Sequence, residues 1–211
     1  MPSDLQVDNI KDGSATKTLA TLSSSSVTLH NDVSFPTGST ISGQVGGGHV
    51  LQIQSTTKND TFSVTVGSAN GESAITGLSV KITPQSASNK IAVFFTVCGA
   101  SNKAGRQSSF GINLYRDSTQ IADPDDTGSS SRPLSTVASD HSGEDNNTKY
   151  GTVSMNFIDS PSSTSEITYS LRVMNIFDSS NDFYINRTQL DTDANYRNRT
   201  ISTITVMEIS A

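Results

Sequence analysis

From His49 to Ile209, apolar residues recur at every second position in short runs, a period that strands satisfy and helices do not. Phe62, Val64 and Val66 alternate with Ser63 and Thr65, and Leu78, Val80 and Ile82 alternate with Ser79 and Lys81. The same rhythm returns at Phe110–Leu114, Val153–Phe157 and Ile167–Val173. Each run reads as a strand with one face on a core and one in water. Turn-forming clusters at Pro84–Asn89, Arg116–Thr119, Asp159–Ser165 and Asp178–Asp182 separate the runs. No stretch sustains a helical period. The expected fold class is all-β, an antiparallel sandwich or jelly-roll knob over residues 49–211 with Greek-key connections.

Two segments depart from the alternation. Ile91–Phe95 is apolar on both faces, and Thr200–Ile209 carries Ile201, Met207 and Ile209 on one side with Ile204 and Val206 on the other. A strand apolar on both faces needs a second surface over its outside. A neighbouring subunit is the natural cover, so Phe94, Ile201, Ile204, Val206, Met207 and Ile209 are expected at a subunit contact. The apolar fraction, 33%, allows only a modest core, and association removes further apolar surface from water.

Residues 1–48 are different. Val7, Ile10, Leu19, Leu22, Val27, Leu29, Val33 and Phe35 stand singly among Ser, Thr, Asp and Asn. Val27-Thr28-Leu29 and Val33-Ser34-Phe35 alternate like short strands, but such fragments are not stable alone. Gly46-Gly47-Gly48 separates this extended N-terminal arm from the knob and reads as a hinge between them.

Charge excludes some partners. The formal net charge is −6 and the basic residues are scattered, which argues against nucleic acid and against a polybasic membrane contact. Met1-Pro2-Ser3-Asp4 has neither the basic nor the apolar region of a signal peptide, so synthesis in a cytoplasm is expected. No apolar stretch reaches the length of a transmembrane helix. The single cysteine, Cys98, sits in an apolar run and reads as a buried small hydrophobe.

Candidate chemistry is sparse. The histidines His30, His49 and His141 lie in no nucleophile motif, and no Trp is present to stack on sugar rings. The polar stretch Asp123–Lys149 offers Asp123, Asp125, Asp126, Glu144 and Asp145, but it reads better as a solvated acidic loop than as a glycosidase pair. Asp125, Asp126 and His141 of this stretch are candidates for surface recognition. Asp191-Thr192-Asp193 places oxygen ligands at alternate positions, as a calcium loop begins, yet Tyr196 and Ser202 stand where an EF-hand needs Gly and Glu. Asp191 and Asp193 therefore remain as candidate metal ligands beside the alternative of turn chemistry. Tyr196 and Arg197, with Arg199, Tyr184 and Arg187 nearby, suit either a sugar or anion site or a subunit interface. No cofactor is implied, and no enzyme activity is expected.

Several segments together resemble small virion proteins of tailed bacteriophages, especially those infecting marine bacteria and cyanobacteria. They are Asp4–Ile10 with Gly13–Leu19, Val33–Pro36, Thr76–Ile91, Ile112–Asp117, Phe157–Pro161 and Ser202–Ile209. The resemblance implies a homotrimeric fibre or knob whose C-terminal domain is similar to the tumour-necrosis-factor-like jelly roll, with the last strand near the three-fold axis. It implies localisation in the virion, with the arm docked on capsid or tail proteins through Leu5, Val7, Ile10, Val33 and Phe35. The knob is then expected to meet a host-surface glycan or protein. A decoration protein that stabilises the particle without recognition is the alternative, and a polysaccharide-modifying enzyme a more distant one.

Overall fold

The chain divides into two compact units, Met1–Gln44 and Val45–Ala211. The computed structural model describes residues 9–11, 18–22, 27–29, 48–68, 70–103, 109–125, 133–139, 148–177 and 179–211. In the first unit, β1 (Asn9–Lys11), β2 (Thr18–Leu22) and β3 (Val27–Leu29) form an antiparallel sheet in that order. The fragment expected at Val27 is β3, paired with β2 through Ala20↔Leu29 and Leu22↔Val27. The fragment expected at Val33–Phe35 lies outside the described residues.

In the second unit the alternating runs become β4 (Val50–Lys58), β5 (Phe62–Val66), β6 (Glu72–Ile82), β7 (Lys90–Ser101) and β8 (Gly111–Arg116). They continue as β9 (Thr119–Ile121), β10 (Val137–Ala138), β11 (Gly151–Asp159), β12 (Ile167–Met174), β13 (Asn181–Ile185) and β14 (Ser202–Ile209). Four antiparallel pairs nest inside one another: β4 with β14, β6 with β12, β7 with β11, and β8 with β10. Pairing first with last and working inward is the connectivity of a jelly roll. β14 also pairs with β7 and β12 with β8, which gives two layers, β4-β14-β7-β11 and β6-β12-β8-β10. β5 and β13 extend the first layer beyond β4 and β14, and β9 folds back on β8.

The core lies between the layers. Ile91, Val93, Phe95 and Val97 of β7 and Ile204 and Val206 of β14 face Leu78, Ile112, Leu114, Tyr169, Leu171 and Val173 from the opposite layer. The sequence predicts one wet face for β8, but Gly111 through Tyr115 are all buried. Its outer side is covered because Arg172 stacks on Tyr115 at 3.8 Å, Asn113 bonds Glu72, and Ser135 packs over Gly111. The turn expected over Asp178–Asp182 is likewise shorter, since Asn181 and Asp182 already belong to β13.

This topology gives the knob two distinct ends. Gly48 (φ 95°) donates its N–H to the Ser210 carbonyl at 2.9 Å, and Ser210 donates back to His49 at 2.9 Å. Gly48 is therefore part of the knob, and the chain enters where β14 finishes. From Val50, β4 runs to Lys58, roughly 26 Å at ~3.3 Å per residue. At that far end Gly151 opens β11 opposite Gly99, and the excursion between β13 and β14 leaves the sheet.

Candidate interaction surfaces

Residues that face each other across neighbouring strands share a face of the sheet. On the outer side of β4-β14-β7-β11, Ile53, Met207, Ala92 and Ile158 therefore form one row across four strands. At ~4.8 Å between strands this row is roughly 14 Å long, and it is entirely apolar. Ile53 and Ile158 are 55% and 51% exposed. The next row reads Ser55, Thr205, Phe94, Asn156, and the one after it Thr57, Thr203, Thr96, Ser154. Ser55 and Thr205 share a hydrogen bond at 2.8 Å, as do Thr96 and Ser154 at 2.9 Å. A shallow groove of about 480 Å³ runs over this part of the face beside Phe94. None of the twelve positions is charged, although the chain carries −6. An apolar row flanked by Phe94 and uncharged hydroxyl and amide side chains has the composition of an interface centre rather than of a charged, solvated sheet.

Of the residues expected at a subunit contact, Phe94 and Ile201 are exposed, and Met207 and Ile209 are half-buried on the outer side of β14. Ile204 and Val206 are a correction. Both are fully buried within the single chain, because the inward half of β14 packs between the layers. The two-sided apolar pattern thus combines a core side and an outer side, and only the outer side is open to a partner.

The second surface is the excursion at the far end. Asn186 adopts φ 61°, a conformation Asn tolerates better than most residues, and is fully buried. Its amide donates to the carbonyls of Lys58 and Asp60, both at 2.9 Å, and its oxygen accepts from Ser202 Oγ at 2.6 Å. Arg187 and Arg199 then pair as an antiparallel bridge that forms the neck of a hairpin. Asp191 sits between them: Arg199 grips it with Nε at 2.8 Å and Nη2 at 2.7 Å, and Arg187 Nη1 lies 3.7 Å away. The Arg187 guanidinium also stacks on Tyr184 at 4.8 Å.

This arrangement gives Asp191, one of the two expected metal ligands, an arginine partner instead. Both Asp191 oxygens are occupied by a guanidinium fork, and no metal-holding group of three or more His, Cys, Asp or Glu occurs among the described residues. The paired aspartate closes the hairpin instead. Sequence reasoning missed Asn186 as the residue that launches the hairpin directly after β13, although Asn is a residue type that tolerates the left-handed conformation in turns.

Tyr196, 58% exposed, and Arg197 stand near the hairpin tip, with the guanidinium 5.1 Å from the ring centroid. Asn198 donates to the Tyr150 hydroxyl at 3.1 Å, joining the hairpin to the residue that precedes β11. Asp125 is exposed after β9. Asp126 and His141 lie outside the described residues, as do Leu5, Val7, Val33 and Phe35 of the arm, while Ile10 is in β1 opposite Ala20. Cys98 is a buried free thiol, 3.3 Å from Thr152 Oγ1.

No protein-family model matches the chain, and no curated protein matches its sequence.

Proposed function

We propose that this chain is a homotrimeric virion protein of a tailed bacteriophage, docked through its arm and presenting the jelly-roll knob to the host surface. The observation that carries the reading is the axial order of the knob. The chain enters at the Gly48–Ser210 end, the apolar row and its two uncharged neighbour rows lie along one flank, and the hairpin at Arg187–Arg199 leaves from the opposite end. A body held at one end, associated along its side and exposing loops at the other is suited to attachment.

Two further features support self-association. The nine-residue strand β11 pairs only with β7 among the described strands, and it contains neither Lys nor Pro to blunt its free edge. The apolar row ends on that strand at Ile158. The stoichiometry of three and the virion location come from the sequence resemblance. Weak contacts repeated on identical knobs add through avidity.

The test combines light-scattering mass of the full chain with adsorption assays. A trimer that competes with phage for host cells supports the reading, and a monomer refutes the assembly. A trimer that binds particles but leaves adsorption unchanged favours the decoration role instead.

A further inference from the structure

The layer β4-β14-β7-β11 ends in two strands that pair on one side only among the described strands, β4 with β14 and β11 with β7. Each is nine residues long and neither contains Pro. The one charged residue of each strand, Lys58 or Asp159, is its last and is already ion-paired, to Asp60 and Arg116 respectively. Edges left this way lack the charges and prolines that ordinarily stop a further strand from adding.

The direction of the two edges restricts what adds to them. Three antiparallel pairings separate β4 from β11, so the two strands run in opposite directions. Two knobs side by side, with their Gly48–Ser210 ends at the same end, therefore present β11 of one antiparallel to β4 of the other. Antiparallel pairing of β11 with a second β11 points those ends apart, which a common docking site does not allow. The rows agree with the first arrangement. Ile158 and Ile53, the exposed ends of the apolar row, come onto neighbouring strands, as do Asn156 and Ser55 of the next row. The second layer covers the inward side, so copies joined around an axis turn the apolar row of each toward that axis.

We infer that the partner at both edges is a second copy of this chain, with β11 of one knob adding to β4 of the next by main-chain hydrogen bonds. This names the contact surfaces of the trimer proposed above and rests on that reading. The contact is heterologous, because each copy uses two different edges, and such contacts form rings when the rotation closes. Closing strands into a ring staggers them, and a stagger by an even number of residues keeps outer positions on the outer face. Ser55 is therefore expected beside Ser154, Asn156 or Ile158 of the neighbouring copy.

Disulfide trapping in the full-length protein tests it, in a Cys98→Ala background. Ser55→Cys is combined in turn with Ser154→Cys, Asn156→Cys and Ile158→Cys, and circular dichroism confirms that each variant folds. Within one copy these positions lie three strand spacings apart, roughly 14 Å at ~4.8 Å each. A disulfide spans Cα atoms only about 4.4–6.8 Å apart, so any link joins two copies. At least one double variant should give a ladder of covalent oligomers on a denaturing gel. The single variants should stay monomeric, and a mixture of Ser55→Cys with the matching β11 variant should stop at the dimer. Met155→Cys, which faces the core, should not link to position 55. The inference is overturned if no outer-face pair links, if Met155→Cys links equally well, or if Asn156→Cys alone dimerises, which is pairing of β11 with itself. Light-scattering mass of the same samples separates the two readings. An oligomer without links keeps the trimer and removes the β11–β4 contact, whereas a monomer removes both.

Discussion

Ile53 and Met207 stand opposite one another across β4 and β14, both on the outer face, and their row continues through Ala92 to Ile158. The two isoleucines at its ends are more than half exposed in the single chain. Exposed isoleucines occur singly on many surfaces, whereas these two end an apolar row across four strands whose two neighbouring rows carry no charge.

The first prediction follows from that row. Ile53→Asp and Ile158→Asp each place a carboxylate on the face through which the proposed trimer would associate. Each should weaken self-association at least a hundredfold, about 2.7 kcal/mol. Effects on the fold of the isolated knob should stay within about 0.5 kcal/mol, since neither side chain is in the core. Light scattering across a dilution series reads the first effect and circular dichroism the second. Unchanged mass in both variants removes this face from the assembly.

Ile204→Ala should behave in the opposite way. Ile204 is fully buried between the layers, so truncation should cost about 2–5 kcal/mol of unfolding free energy through lost burial and the cavity left behind. Because the chain contains no Trp, denaturant unfolding is best followed by circular dichroism. A loss of association without loss of stability in this variant would return Ile204 to the interface.

The contrast between Ile53 and Ile204 shows what the sequence made legible. Alternation identified the strands and their inward residues, because a side chain that repeats every second position must face the same layer. It also showed that β14 is apolar on both sides. It did not show which side faces the core, since that depends on the register with β7 and β4, set by residues more than a hundred positions away. The hairpin was harder still. Asp191 and Asp193 look like calcium ligands in isolation, and only the return of Arg199 across the neck makes Asp191 an ion-pair partner. The cover over β8 was hidden for the same reason, as Arg172 and Glu72 reach it from two other strands.

A third prediction concerns alkaline pH. Burial pushes the Tyr115 phenol up to about 12, helped by its hydrogen bond to Glu72. Burial also raises Tyr169, whose hydroxyl donates to Asp159 at 2.6 Å while Arg116 holds the same carboxylate at 2.7 and 2.9 Å. The unfolded chain releases these protons near pH 10 and the folded chain releases them later, so stability should fall as pH rises above about 10. Tyr169→Phe should flatten that fall, and at neutral pH it should cost about 1–3 kcal/mol by removing a donor from buried Asp159. Phenolate absorbance with parallel denaturant melts measures both, and an alkaline slope unchanged in Tyr169→Phe and Tyr115→Phe refutes the assignment.

Acid pH should act through Glu208, which shares with Asp159 the row that crosses β7 at Ile91. Its side chain is fully buried at the end where the chain enters. Burial alone raises its carboxyl, but donors from Asn89 at 2.6 Å, Gln52 at 2.6 Å and the Gln85 N–H at 2.7 Å hold it below the usual carboxylate range. A lowered folded value means that the unfolded chain takes up the proton first as pH falls. The contribution of Glu208 is therefore complete above its unfolded value of about 4.3 and is lost as pH falls through the folded value. Glu208→Gln keeps the shape and abolishes the titration, so its stability should depend less on pH below about 5. At neutral pH the variant should be about 1–3 kcal/mol less stable, because one amide oxygen replaces two carboxylate oxygens that accept from Asn89, Gln52 and the backbone at Gln85 and Ser86. Since Gln52 lies on β4 and Asn89 precedes β7, the loss should loosen this end first. Hydrogen exchange at Gln85 and Asn89 is expected to accelerate before exchange at Val93 and Val206 does. Uniform acceleration across both strands would show that Glu208 supports the whole sandwich rather than this end of it.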